Sequence, residues 1–219
     1  MKLFDIVGPV MVGPSSSHTA GAVRIGYIAR LLLNENVQNA EIYLHGSFLA
    51  TGRGHGTDKA LIAGLLGMRP EDERIPKSFW IAKEQGVTFS FAGIELRDAH
   101  PNSVLMKLVG VNGRKLEVEA ASIGGGRIKI CRLDGLEANF CGDYPTLIVR
   151  HQDKTGHVAE VASMLAKQSI NIATMQLYRA KRGGEAVLVL ECDHEVPKKS
   201  IEWLEQQEGI YKVTYLSLV

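Results

Sequence analysis

The hydrophobic pattern of the last third of the chain constrains the fold most tightly, because its period switches between that of a strand and that of a helix in a fixed order. Thr146 to Arg150 is a short apolar run of strand length, followed by the polar turn His151-Gln152-Asp153-Lys154-Thr155-Gly156. Val158, Val161, Ala162, Leu165 and Ala166 then recur at helical spacing and make one apolar face. Ile170 to Arg179 reads as a strand, Lys181-Arg182-Gly183-Gly184 as a hairpin turn, and Glu185 to Cys192 as a continuous apolar strand. Pro197 suits the first turn of a second helix that turns Ile201 and Leu204 inward, and Ile210 to Leu218 closes the series. The order βαββαβ predicts a four-stranded antiparallel sheet backed by two helices on one face.

The composition changes at Cys141-Gly142-Asp143-Tyr144-Pro145, which places a domain boundary at about residue 145 and gives domains 1–144 and 145–219. The 219 residues suit that division. With 45% hydrophobic and 22% charged residues the chain buries a core and is not disordered. Its 25 Lys+Arg against 24 Asp+Glu leave a net charge of +1, and no basic run stands out, so nucleic acid is not an expected partner. No apolar stretch reaches the length of a membrane span. Asp5 falls where an export signal would need apolar residues, and the three cysteines, Cys131, Cys141 and Cys192, are an odd number without CxxC spacing. A cytoplasmic chain without a disulfide framework is therefore expected.

The N-terminal domain reads as α+β, with helices early and an antiparallel sheet late. Ala20, Val23, Tyr27, Ile28, Leu31 and Leu32 keep helical spacing, and Ala40 to Ser47 reads as a strand. That strand runs into a glycine loop, after which Thr57 or Asp58 caps a second helix through Leu66. Val87 to Phe91 and Ile94 to Arg97 read as short strands. Val104 to Val111, Asn112-Gly113 and Arg114 to Ser122 form a hairpin signal, since Asn-Gly favours a type I′ turn. Arg127 to Leu133 is a further strand, with Asp134-Gly135 as its turn.

Two segments carry side chains suited to chemistry. Ser15-Ser16-Ser17-His18-Thr19 lies at or before a helix N-terminus, where unpaired N–H groups and the helix dipole attract anions and hydroxyls add reorienting donors. A carboxylate or phosphate would suit it, and His18 could supply a proton or orient the ligand. An N-cap with spare serines is the plainer account. Gly52-Arg53-Gly54-His55-Gly56-Thr57-Asp58 flanks a histidine with glycines, leaving the imidazole unshielded as a base requires, or forming only a flexible turn. The segment has neither Walker A nor GxGxxG spacing. His100-Pro101-Asn102 is a turn with two polar side chains, and Ser122-Ile123-Gly124-Gly125-Gly126 is an anion nest or, more simply, a sharp bend. His18, His45, His55 and His100 show no metal-ligand spacing, and the cysteines offer no set for an iron–sulfur cluster.

Residues 146–219 resemble an ACT domain, through the strand, the polar turn ending in Gly156, the Ser169-Ile170-Asn171-Ile172 step and the apolar strand that precedes Asp193. ACT domains pair edge to edge and bind small amino acids at the joint. The resemblance implies a homodimer, with Asp153, Gly156, Asn171 and Ile172 at that joint; a domain that only dimerises fits the same residues. The strings Gly13-Pro14-Ser15-Ser16-Ser17-His18-Thr19-Ala20-Gly21, Gly54-His55-Gly56-Thr57-Asp58, His100-Pro101-Asn102 and Ser122-Ile123-Gly124-Gly125-Gly126 occur in this order ahead of it. Together they resemble the β chain of the bacterial iron–sulfur L-serine dehydratases.

That resemblance implies elimination of water from L-serine to give pyruvate and ammonia. It also implies a cysteine-bearing α chain as partner, carrying a 4Fe-4S cluster. His55 would be the base, with His18 as the other catalytic histidine. Ser15, Ser17 and Thr19 would hold the substrate carboxylate, and His100 and Asn102 would line the site. The isolated chain would be inactive. The N-terminal half is also similar to a domain of some serine-regulated phosphoglycerate dehydrogenases, which keeps open a regulatory module that binds serine or another anion without chemistry.

Overall fold

The computed structural model describes residues 10–179 and 181–218; the segment Met1–Asp5, read above for an export signal, lies outside them. By its contacts the chain divides between Gly135 and Leu136, ahead of the composition change near residue 145.

In the first unit a five-residue π-helical turn, Ser16–Ala20, leads directly into helix α1 (Gly21–Leu33). Strand β1 (Val37–Leu44), α2 (Gly46–His55), α3 (Thr57–Leu65), α4 (Ser78–Glu84), β2 (Thr88–Gly93), β3 (Ser103–Gly110), β4 (Lys115–Gly124) and β5 (Arg127–Leu133) follow. The strands lie in the order β2-β1-β3-β4-β5. Neighbours from β1 through β5 are antiparallel, as the sequence implies, but β2 adds to the free edge of β1 in parallel, with Asn39 opposite Thr88 and Leu44 opposite Gly93. A parallel neighbour needs a long crossover, and α2, α3 and α4 provide it.

Three local expectations change. The glycine loop around His55 is helical: α2 runs through Gly52 and Gly54 to His55, anchored by the fully buried Phe48. Tertiary packing here overrides the poor helix propensity of glycine. The break comes only at Gly56, whose left-handed φ of +70° separates α2 from α3, so neither Thr57 nor Asp58 is the cap. The segment Ile94–Arg97 is not a strand. At the β3–β4 hairpin only Gly113 has positive φ, and Gly113 N–H bonds Gly110 O. This is a three-residue loop rather than a type I′ turn. The type I′ geometry falls instead at Gly125-Gly126, both left-handed, where β4 meets β5; the glycine run is a tight hairpin rather than an open nest.

Helices α1 and α3 touch backbone to backbone. A Cβ on Gly64 would stand 2.0 Å from Val23 O, and one on Gly26 would stand 2.3 Å from Leu61 O. This close crossing draws together the N-terminal ends of both helices, and with them His18 and His55.

The second unit follows the sequence reading closely. After β6 (Leu136–Phe140) come β7 (Thr146–Gln152), α5 (His157–Lys167), β8 (Ile172–Arg179), β9 (Glu185–Cys192), α6 (Lys198–Glu205) and β10 (Ile210–Leu216). The last four strands form an antiparallel sheet in the order β10-β7-β9-β8. Leu147, Val149, Leu188, Leu190 and Val213 of the sheet pack against Val161 and Leu165 of α5 and Leu204 of α6. Among the described residues no helix is long and apolar enough to cross a membrane.

Candidate active site

Ser15 is the N-cap of the π-turn, and its hydroxyl accepts a hydrogen bond from the His18 backbone N–H at 3.1 Å. Local π geometry widens the start of a helix, and it recurs where side chains are held for function. Ser17 and His18 are half-buried within this turn.

The His18 ring reaches α2. Its Nε2 lies 3.1 Å from Ser47 Oγ and 3.1 Å from Thr51 Oγ1, one helical turn apart. It also meets the edge of Phe48 and, at 4.9 Å between centroids, the ring of His55. Burial, and then the neighbouring His55, pull the His18 pKa below the ordinary histidine value, against a hydrogen bond to the Ser47 backbone that raises it. His18 is therefore neutral near pH 7. His55 closes α2 with its Nδ1 buried and, among the described residues, without a hydrogen-bond partner.

Two threonines lock this pair from behind. Thr19 donates its hydroxyl proton to His55 O at 3.1 Å, and Thr57 donates to His18 O at 2.9 Å. Both threonines are buried. Thr19, expected from sequence to hold substrate, instead uses its hydroxyl on the backbone of the facing histidine. Replacing Thr57 by valine leaves the His18 carbonyl short of its buried donor. The unfolding midpoint in urea should fall by the equivalent of about 1–3 kcal/mol with an unchanged slope.

The remaining predicted residues gather around the start of α2. His100 Nδ1 accepts from Asn102 N–H at 3.1 Å, and the Asn102 carbonyl accepts from Ser122 N–H. Pro101 O accepts from Ser47 N–H at 2.7 Å, so this turn docks directly on the helix that carries Ser47 and Thr51. Gly46 has a φ of +56°, and a Cβ there would stand 2.5 Å from Pro101 O, so glycine is required. Ser122 is fully buried, and its hydroxyl has no partner among the described residues; a Cβ on Gly21 would stand 2.1 Å from it. His45 stays outside the cluster: its Nδ1 accepts from Leu96 N–H at 3.2 Å. Ser47 and Thr51 were not legible as site residues, because their i, i+4 spacing acquires meaning only once α2 is recognised as a helix.

In the second unit the Asp153 carboxylate accepts from Gly183 N–H at 2.9 Å and from Arg179 at 3.2 Å. The Gly183 bond leads the influences that hold it below the usual carboxylate range. Asn171 donates to Asp193 at 2.7 Å. Gly156 sits at φ +110° as the N-cap of α5, and Ile172 begins β8 partly buried against the core. β8 ends the sheet order, with Met175 and Leu177 exposed along it.

The cysteines do not fit an iron–sulfur cluster. A cluster ligand must be a thiolate, yet burial pushes the Cys131 thiol up and the Cys192 thiol up to about 11. The Cys141 thiol is a hydrogen-bond donor to Glu191 at 3.1 Å. Among the described residues no group of three or more His, Cys, Asp or Glu side chains is placed to hold a metal ion.

Fold and site together define a two-part α+β chain in which a histidine pair, one from the turn before α1 and one from the end of α2, precedes a βαββαβ module. Residues 2–86 match the family model for the serine dehydratase beta chain, and residues 145–209 match that of the ACT domain. The chain is 40% identical over 216 residues to the probable L-serine dehydratase, beta chain, of Bacillus subtilis (strain 168), covering 99% of this chain and 98% of that one. It is also 40% identical over 191 residues to the L-serine dehydratase, beta chain, of Peptoniphilus asaccharolyticus, covering 87% and 86% respectively. The D-3-phosphoglycerate dehydrogenase of Bacillus subtilis (strain 168) is 29% identical over 201 residues, spanning 90% of this chain but 37% of that enzyme. The chain belongs to the serine dehydratase beta chain family, and its C-terminal domain is an ACT domain.

Proposed function

We propose that this chain is the β subunit of an L-serine dehydratase and supplies anion anchoring and acid–base groups to a site completed by a cysteine-bearing α chain. The observation that carries the reading is the His18–His55 pair, whose tilted rings lie 4.9 Å apart between centroids, with a buried His55 nitrogen that has no partner among the described residues. A buried polar atom without a partner costs stability unless a ligand satisfies it. In this reading the 4Fe-4S cluster belongs to the α chain.

The reaction removes the α-proton and the β-hydroxyl of L-serine. His55 takes the α-proton, the Cβ–O bond breaks, and the leaving hydroxide takes up one proton to depart as water, balancing the one held by His55. The 2-aminoacrylate formed tautomerises to an imine that water hydrolyses to pyruvate and ammonia. The α-proton is too weakly acidic for an unaided imidazole, so charge stabilisation around the developing carbanion shares the barrier. Ser15, Ser17 and the N–H groups of the π-turn hold the carboxylate. His18, neutral at working pH, orients the substrate without repelling its ammonium group. His100 and Asn102 line the approach. The ACT domain pairs with a second copy and takes a small amino acid beside Gly156 and Asn171.

Co-expression with the α chain, followed by an anaerobic pyruvate-release assay, tests the reading. The complex should turn over L-serine while each chain alone stays silent. Turnover by the lone chain, or none by the complex, would overturn it. The likeness to phosphoglycerate dehydrogenase favours a second reading, a serine-binding regulatory module; that reading requires saturable serine binding to the lone chain, measurable by calorimetry, with an inert complex.

A further inference from the structure

His18 Nε2 lies 3.1 Å from both Ser47 Oγ and Thr51 Oγ1, and the two hydroxyls are 3.4 Å apart on consecutive turns of α2. Thr51 has one hydroxyl proton, and it is directed to the Ser47 backbone carbonyl at 2.9 Å, the bond that a helical threonine makes to its i−4 residue. Towards the imidazole, Thr51 can therefore only accept. A lone pair on Nε2 would face the Thr51 oxygen lone pair at hydrogen-bond distance and could bond Ser47 alone. A proton on Nε2 serves both oxygens at once and leaves the Ser47 hydroxyl proton free to reach Thr51.

We propose that Ser47 and Thr51 are positioning residues that fix neutral His18 as its Nε2–H tautomer, making Nδ1 the ring's only proton acceptor. The tautomer of a neutral histidine is set by what its other nitrogen bonds, and the wrong tautomer cannot orient the same partner. The burial and the His55 contact that hold His18 neutral fit this role, since a protonated ring would have no acceptor at all. The catalytic consequence rests on the dehydratase reading: Nδ1, the nitrogen not held by α2, accepts a hydrogen from the substrate and places it beside His55.

The test uses the lone chain labelled with 15N-histidine, at a pH above the His18 titration, with a His18→Gln sample to assign the ring. Long-range proton–nitrogen spectra should show a protonated Nε2 and an unprotonated Nδ1. Thr51→Val keeps the side-chain shape at an exposed position, and should move His18 towards the Nδ1–H form because the Ser47 hydroxyl can then donate. Thr51→Ser should retain the parent spectrum. In the reconstituted enzyme, Thr51→Val should lower kcat about ten- to a hundredfold with a smaller change in KM, and Thr51→Ser should restore most of it. A parent chain with His18 as Nδ1–H, or a Thr51→Val protein with unchanged tautomer and kcat, overturns the inference. An inert parent complex would sink the dehydratase reading instead, and the spectrum of the lone chain would still decide the tautomer.

Discussion

His55→Ala, combined with the α chain, is expected to lose about 10²–10⁴-fold in kcat, the range that a positioned general base contributes. KM for L-serine should move far less, because the π-turn hydroxyls and N–H groups proposed to hold the carboxylate lie on another element. Stability should hardly change: His55 Nδ1 has no hydrogen-bond partner among the described residues, and the backbone bond from Thr19 to the His55 carbonyl survives the substitution. The absorbance of a cluster carried by the α chain should also stay normal. That combination separates loss of a base from loss of structure. If turnover persists at near-parent rates, the α-proton goes elsewhere, and His18 is the next group to replace.

How much of this was legible in the sequence differs between the two halves for a physical reason. In the ACT domain each strand and helix buries one face against the same small core, so periodicity alone reports the order. β7, α5, β9 and α6 fall within a few residues of their expected limits. In the first unit the composition misleads. Gly52 and Gly54 argue against a helix, yet Phe48 is fully buried and holds α2 in place. The parallel addition of β2 depends on a crossover whose partner lies forty-odd residues away in sequence, with Thr88 opposite Asn39, and no local pattern encodes it.

The site divides along the same line. Its histidines and serines stand out as strings, because their density exceeds what a cap needs. The hydroxyls on α2 do not, because the role proposed for them exists only once His18 arrives from the π-turn. Thr19 and Thr57 were visible as residues, but their reciprocal bonds to the facing histidine backbones are a property of the helix crossing. The motifs therefore announce the location of the candidate site, and the packing of α1 on α3 sets its geometry.

That dependence gives Gly64→Ala the largest expected structural effect. The added methyl would stand 2.0 Å from Val23 O, 2.6 Å from Tyr27 N and 2.9 Å from Gly26 C. All three are backbone atoms, so no side chain can swing aside and the helices themselves must part. Alanine gains up to about 1 kcal/mol over glycine in helix propensity, whereas overpacking a tight interface costs about 1–3 kcal/mol and sometimes more. With contacts this short and no flexible atom to yield, the clash wins, and a net loss of about 2 kcal/mol or more should appear as a Tm lowered by several degrees. Gly54→Ala is the matched control. It is also helical, but nothing lies within 4 Å of its added methyl, so the propensity gain stands alone and Tm should rise or hold. Parting α1 from α3 also moves His18 relative to His55 and strains the two threonine bonds between them. A displacement of about 1 Å at such a pair is enough to lower kcat about a hundredfold. Equal melting temperatures for the two alanine variants would mean that the helices are not in backbone contact, and the histidine pair would then need another support.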